Sequence, residues 1–437
     1  MPMPRFRSIV VHFLSWIGAS VALGAEPSPK VTLAWASGPM EARVAFDRGV
    51  DPEVARRVVG ESIGFGEGEK PGVVGRPGGD RGALRVASAR LVDEGRTLVL
   101  ITDPHPREST YRLALAGVKP VGEPGPGRRV EVAYDLGGVE AIFDGAGGKW
   151  SGWWPSVDPS VARQATAGSP EHERLWALTS QPGTLTLQTL ASAPKGDVTL
   201  DLDASSPFEA TFGVETTKSV PSKANSHRAT LKTESTGEPV FLSLSLSTPG
   251  GGAPRVRAAI GPEPLPRSAF VLPWAPPTPQ PSLSSEVPTS LLNGGDPARG
   301  EAVFFGDQAK CSNCHRVRGK GGVIGPDLSN LLGRDRAWVF RNINEPSASI
   351  HPDYVTYTVT LKDGRVAMGV VRAEGADALK VGDIDAKQTV IPRAEVEEIR
   401  PSASSIMPVG LLGAIGEERT RDLLAYLTAH DPAKPKN

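Results

Sequence analysis

The sequence predicts a multidomain chain: two N-terminal all-β modules of immunoglobulin-like or β-sandwich type, then a mainly α C-terminal domain carrying a small antiparallel β insertion. Three observations predict it. Short alternating or β-rich runs between turn residues fill roughly the first 260 positions. A proline-dense stretch follows, and helix signals return only after residue 293. At 437 residues the chain is too long for one small domain and divides into about three.

Residues 1–25 read as a signal peptide. Arg5 and Arg7 make a positive start, Ile9 to Leu23 an apolar core, and Ala22-Leu23-Gly24-Ala25 a small-residue cleavage site. The stretch is short for a membrane span, although retention as an uncleaved anchor is the alternative. Residues 26–120 follow as an immunoglobulin-like module, with strands at Val31–Ala36, Ala42–Asp47, Leu84–Arg90, Thr97–Thr102 and Thr110–Ala116, and a short helix over Asp51–Val59. Residues 121–261 predict a second sandwich from runs such as Arg129–Tyr134, Thr184–Leu190, Asp197–Asp203, Phe208–Val214, Ala229–Thr233 and Val240–Ser247. In the last of these, Leu and Ser alternate as in a half-buried antiparallel strand. Trp150, Trp153 and Trp154 are expected to close a core or fill the interface between sandwiches; stacking on a glycan is the alternative use of such a cluster. Residues 262–292, with Pro273, Pro276, Pro277, Pro279 and Pro281, predict an extended, semi-rigid linker.

The C-terminal domain, 293–437, opens at Asp296-Pro297, an N-cap followed by proline at the first helical position, with the helix running through Phe305. A closing helix is expected over Glu417–Ala429, with an apolar stripe of Leu423, Leu424 and Leu427. Phe304 is expected to meet Leu424 or Leu427 where the two cross, and Gly300 to permit close approach. Between them, at about 354–400, runs at Tyr354–Leu361, Arg365–Arg372, Ala378–Val381, Gln388–Ile391 and Val396–Arg400 read as the β insertion, with Lys362-Asp363-Gly364 as a hairpin turn.

Cys311-Ser312-Asn313-Cys314-His315 contains both cysteines of the chain and is a c-type haem attachment sequence. Two thiols at this spacing can each add to a haem vinyl group while the adjacent histidine binds the iron. A redox dithiol wants a βαβ context that is missing here, and a structural zinc site wants about four Cys or His ligands. The expected cofactor is therefore one covalent haem c with its iron. Attachment outside the cytoplasm agrees with the signal peptide, so the protein is expected in the periplasm or otherwise outside the cytoplasm. With both cysteines committed to haem, the exported domains must rest on hydrophobic cores. A ligating imidazole needs an acceptor for its second N–H, and the carbonyl of Pro326, in Gly325-Pro326-Asp327-Leu328, is expected to supply it, as in similar small cytochromes. Met407, in Ser405-Ile406-Met407-Pro408, is the expected sixth ligand. His351 and Met368 are the alternatives, the former reading as a surface loop residue and the latter as core. His430 ends the last helix, where a cation suits the macrodipole.

Residues 296–430 resemble the haem-binding domain family of planctomycete and verrucomicrobial type, which are exported c-type cytochrome modules. The resemblance rests on CSNCH, GPDL, Glu345-Pro346-Ser347 before Ile350, Tyr354 with Lys362-Asp363-Gly364-Arg365, Ile391-Pro392-Arg393, Ser405 to Leu411 and Asp422 to Leu427. Gly416 departs from it, standing where Ser or Thr would cap the last helix better. The resemblance implies one covalent haem with His315 and Met407 as axial ligands. Relatives are often joined to a dehydrogenase-like propeller, which this sequence lacks.

A formal net charge of -1 gives no electrostatic footprint for nucleic acid or an anionic membrane. The predicted function is transfer of single electrons between redox protein partners, with an electron carrier favoured over a catalyst. The alternatives are the haem subunit of a dehydrogenase or a peroxidase-like enzyme, and a glycan- or protein-binding surface protein with an auxiliary haem. No membrane span is expected after signal removal, and the sequence sets no oligomeric state.

Overall fold

The computed structural model describes residues 27–66, 82–222, 226–275, 284–331 and 334–429. The expected signal segment, the middle of the proline-rich linker and His430 lie outside the described residues. No described helix is long and apolar enough to cross a membrane.

Seven antiparallel strands form the first module, in the order Val31–Gly38, Glu41–Phe46, Thr97–Thr102, Gly82–Val92, Ser62–Phe65, Tyr111–Val118, Arg128–Tyr134. The seven lie on one hydrogen-bonded path. Gly82–Val92 joins its two halves, because residues 82–85 pair with Ser62–Phe65 and residues 86–92 with Thr97–Thr102. The helix Glu53–Val58 turns Val54 and Val58 into the core. Every residue of Thr97–Thr102 is buried, which requires cover on both faces. Leu98 and Leu100 belong to the module's own core. Val99 and Ile101, one residue out of phase, pack elsewhere.

Residues 139–271 form a sandwich. One sheet runs Glu215–Lys218, Phe208–Phe212, Val240–Thr248, Gly183–Ala191, Val139–Gly145, Gly148–Trp154, with Phe270–Val271 added to Gly183–Ala191; the other runs Val220–Pro221, His227–Ser235, Gly196–Ala204, Val256–Ile260. Leu242, Leu244 and Leu246 point into the shared core, and the intervening serines point away. Successive indoles of Gly148–Trp154 enter different cores: Trp153, 3% exposed, lies in the first module's core, where its ring is 6.4 Å from Trp35. Trp154, fully buried, stacks 5.0 Å from Trp176 in the sandwich core. These rings tie the two modules together and leave no row of exposed indoles.

The expectation of a mainly α C-terminal domain is overturned. Strand exceeds helix among the described residues, and the C-terminal part is built on a five-stranded antiparallel sheet in the order Gln388–Pro392, Ala378–Gly382, Val366–Glu374, Thr356–Leu361, Val396–Pro401, with a two-residue pair at Arg316–Val317 and Lys320–Gly321. Its helices are short: Pro297–Phe305, the single turn Cys311–Cys314, Arg336–Asn344, Leu411–Ile415 and Glu417–Thr428. Two physical reasons account for the difference. The helical turn at the two cysteines stops at His315, whose backbone is extended, and the sheet buries its face against the first module rather than against helices. Val359, Val371, Leu379, Val381, Ile391 and Ile399 share one core with Met40, Val99 and Ile101. At its edge Tyr357 Oη donates to the His105 carbonyl (3.1 Å) and the Ala373 N–H donates to Asp103 Oδ1 (2.8 Å).

The first and last C-terminal helices cross at Gly300, where an added Cβ would lie 2.0 Å from the Asp422 carbonyl oxygen. Asp296 caps the first helix, accepting from the Ala298 N–H at 2.8 Å. The buried Asp422 carboxylate latches the pair, accepting from the Asp296 N–H and from Arg299 Nε, both at 2.7 Å. Phe304 shares a core with Leu424 and Leu427, and across the helix pair its ring centroid lies 5.8 Å from that of Tyr426.

Candidate haem site

Cys311 to Cys314 make one helical turn, entered through Lys310 in the left-handed region and left through an extended His315. One turn brings the two thiols to the same side, and the His315 N–H, bonded to the Cys311 carbonyl at 2.9 Å, fixes where the imidazole starts. Both cysteines are free and half-buried. Burial pushes the Cys311 thiol up to about 11; burial and then the Asp383 charge push Cys314 up as well. A dithiol redox centre depends on a lowered thiol pKa, the opposite of what this environment imposes.

His315 Nδ1 lies 3.0 Å from the Pro326 carbonyl oxygen. A carbonyl can only accept, so Nδ1 carries the proton and Nε2 keeps its lone pair for a metal. Burial lowers the His315 pKa, against a smaller opposing effect of that hydrogen bond, so the ring is neutral, as a ligand must be. The loop that supplies Pro326 fits the turn closely. The Gly322 N–H donates to the Ser312 carbonyl and the Gly325 N–H to the Cys314 carbonyl, each at 2.8 Å. A Cβ at Gly322 would meet the Asn313 oxygen at 1.9 Å, and one at Gly325 would meet His315 Cε1 at 2.6 Å. The sequence analysis singled out Gly325 only as part of the Pro326 motif and passed over Gly322; the run Gly319-Lys320-Gly321-Gly322 shortly after the attachment turn was the available signal.

Met407 is half-buried in the loop between Val396–Pro401 and Leu411–Ile415. Three bonds of 3.1 Å set this loop: Ser405 N–H to Ser347 Oγ, Ile406 N–H to Thr356 Oγ1, and Met407 N–H to Ser405 Oγ. The same Thr356 begins the five-stranded sheet, so the sheet determines where the loop sits. His351 has another role, since its Nδ1 accepts from the Asp353 N–H at 3.3 Å at the start of a short 3-10 turn. Met368 is 54% exposed, which corrects its reading as core: on Val366–Glu374 it points away from the face that packs on the first module.

The structure thus brings Cys311, Cys314, His315 and Pro326 into one unit and holds Met407 on a separate, sheet-anchored loop. Free thiols one turn apart and a neutral imidazole with an open Nε2 fit a covalently attached iron porphyrin.

Residues 297–373 match the Cytochrome c family. That part of the chain is a c-type cytochrome module, and its cofactor is haem c, an iron porphyrin held covalently. The match takes in the attachment turn, the glycine loop and the first strands of the sheet; Met407 and the closing helix lie beyond it. No curated protein matches the chain. Among solved structures, the PA14 domain of the MpAFP antifreeze protein is similar at 16% identity over 21% of this chain and 51% of its own, with a TM-score of 0.17. An anti-sigma factor domain-containing protein from Clostridium clariflavum is similar at 12% identity over 53% of this chain and 84% of its own, TM-score 0.22. The GH31 alpha-xylosidase from Xanthomonas citri is similar at 10% over 56% of this chain and 26% of its own, TM-score 0.22. The chain spans about half the length of the PA14 structure it matches, and likenesses this low carry no argument about fold or activity.

Proposed function

We propose that this chain is an exported, monohaem c-type cytochrome of planctomycete and verrucomicrobial type, passing single electrons between protein partners outside the cytoplasm. The single observation that carries the reading is the His315 Nδ1 to Pro326 carbonyl bond, which fixes the tautomer a haem ligand needs. When bound, the haem supplies a one-electron iron couple. Cys311 and Cys314 would anchor the ring, and their high thiol pKa values keep them protonated and out of disulfide exchange beforehand. His315 would hold one axial position, oriented by Pro326. Met407 would hold the other, and a His/Met pair raises the potential relative to His/His and leaves no open position for a substrate. Both features favour a carrier over a catalyst.

Met407→Ala tests the reading. The haem is expected to stay attached by mass spectrometry, while the long-wavelength sulfur-to-iron absorption band of the wild type disappears. If the band is unchanged, Met407 is not a ligand. Rapid carbon monoxide binding by the reduced wild type would show an open iron position and overturn the carrier reading in favour of an enzyme. A purified, exported protein whose mass equals the bare polypeptide would overturn it altogether.

A further inference from the structure

The outward face of the five-stranded sheet, opposite the one that packs on the first module, carries both loops of the candidate haem site. Tyr357, Val371 and Val381 enter the core shared with the first module, so their chain neighbours Thr356, Val370 and Gly382 point the other way. These three form one cross-strand row, with Thr356 opposite Val370 and Val370 opposite Gly382. At one end of the row, Thr356 Oγ1 accepts from the Ile406 N–H at 3.1 Å, directly beside Met407. At the other end Gly382 seats Ile324, because an added Cβ would meet Cγ1 of that side chain at 3.0 Å and Cδ1 and Cγ2 at 3.1 Å. Ile324 is buried and leads directly into Gly325, which lies against the His315 ring, and Pro326, whose carbonyl orients it.

We propose that the Thr356–Val370–Gly382 row sets the separation of the two loops that would bind the iron from opposite sides, which makes Thr356 and Gly382 positioning residues for the Met407 sulfur and the His315 imidazole. The inference rests on the proposed His315/Met407 pair.

Adjacent strands lie about 4.8 Å apart, so the row spans roughly 10 Å from Thr356 to Gly382. A side chain on a loop is held less precisely than one on a paired strand, and fixing both loops to one ladder gives them a common reference. Val370, between the two anchors, is 5% exposed although it faces away from the shared core, whereas Met368 on the same face is 54% exposed. The outward face is therefore covered at this row and open beside it. Gly382 does not have a positive φ, so its missing side chain answers a packing need and not a backbone one. A methyl there would lift Ile324, and Gly325 and Pro326 would follow along the chain. The strand end also adjoins the attachment turn, since the charge of Asp383 is felt at the Cys314 thiol.

The test uses the full-length haem protein and reads the midpoint potential, the sulfur-to-iron band and the affinity for added imidazole, which competes with a weakly held sulfur. Methionine ligation raises the potential, so a strained pair should lower it. Gly382→Ala is expected to shift the reduction equilibrium about tenfold toward the oxidised iron, about 59 mV. It should also tighten imidazole binding about tenfold, with haem content unchanged. In an Ile324→Ala background, which removes all three carbons the methyl would meet, the same substitution should move neither quantity further. Thr356→Val, which removes the acceptor, should act as Gly382→Ala does, and Thr356→Ser, which keeps it, should stay near the wild type. A merely structural role would lower the Tm and leave potential and imidazole affinity where they were. If Gly382→Ala does not load haem, Ile324→Ala alone and the Thr356 pair decide by the same readouts. Wild-type potential and imidazole affinity in these variants, in a protein that shows the sulfur-to-iron band, overturn the proposal alone. A wild type without the band overturns the His315/Met407 pair, and the proposal with it.

Discussion

Gly325 shows how much of this site depends on a single missing atom. Its Cα lies against the His315 ring so closely that a Cβ would sit 2.6 Å from Cε1 and 2.8 Å from Nδ1, and the ring cannot retreat without losing its bond to Pro326. Gly325→Ala should therefore tilt the imidazole away from its ligating direction. The expected outcome is a severalfold fall, on the order of fivefold or more by the steepness of such packing clashes, in haem per protein in the pyridine haemochrome assay; full loading with a wild-type spectrum would show that the ring has room to move. Two other histidines set a pH limit. His105 and His172 are buried and held near a pKa of about 4, chiefly by desolvation, against about 6.5 when unfolded. The folded state binds fewer protons between these values, so the stability they contribute is complete above about pH 6.5 and is lost as pH falls toward about 4. The loss approaches about 3 kcal/mol per histidine. Urea unfolding at pH 7 and pH 5 should show it, and flat stability over that interval would contradict the burial of these rings.

At the scale of elements, the helix pair is the most constrained joint. Gly300→Ala would push a methyl into the Asp422 carbonyl at 2.0 Å and the Tyr426 Cβ at 2.7 Å, backbone and stem atoms with little freedom. It should cost roughly 1–3 kcal/mol or more, read as a lower urea midpoint with the m-value unchanged; a neutral result would mean that the helices cross elsewhere. This joint was legible in the sequence because its signals are local: Asp296-Pro297 names a helix start, and Leu423, Leu424 and Leu427 name a buried stripe. The same capping signal stood at Asp158-Pro159, where a helix does begin over Pro159–Ala165 with Asp158 accepting from Ser160 N–H, but the surrounding β pattern concealed it. Arg336–Asn344, capped by Asp335, was passed over in the same way. Strands 356–361, 366–374, 378–382, 388–392 and 396–401 were legible from alternation and the Lys362-Asp363-Gly364 turn. Their standing as the centre of the C-terminal part was not, because clear helix signals at its two ends suggested helix between them.

Alternation reveals that a face is buried and is silent about what buries it, and this limit matters most at the scale of the whole molecule. Thr97–Thr102 reads simply as a strand, yet its two faces serve two cores, with Leu98 and Leu100 in one and Val99 and Ile101 in the other. The second core joins the first module to the sheet that positions the Met407 loop through Thr356 Oγ1. Attachment of the haem is thus governed by local sequence, and placement of Met407, the proposed sixth ligand, by a contact between segments more than 250 positions apart. Domains joined through a continuous apolar core unfold together, whereas those joined by a linker alone unfold separately. The wild type should therefore show the first module and the C-terminal part melting in one calorimetric transition. Ile101→Asp places a carboxylate in the shared core, near its edge, at a cost on the order of several kcal/mol, while leaving Leu98 and Leu100 to hold the first module. The expected result is division of that transition, with the haem absorbance following only one of the two parts and the Met407-dependent band weakened below it. A single transition retained in the variant, or two already present in the wild type, would show that the sheet and the first module are not coupled and that the Met407 loop is set by the C-terminal part alone.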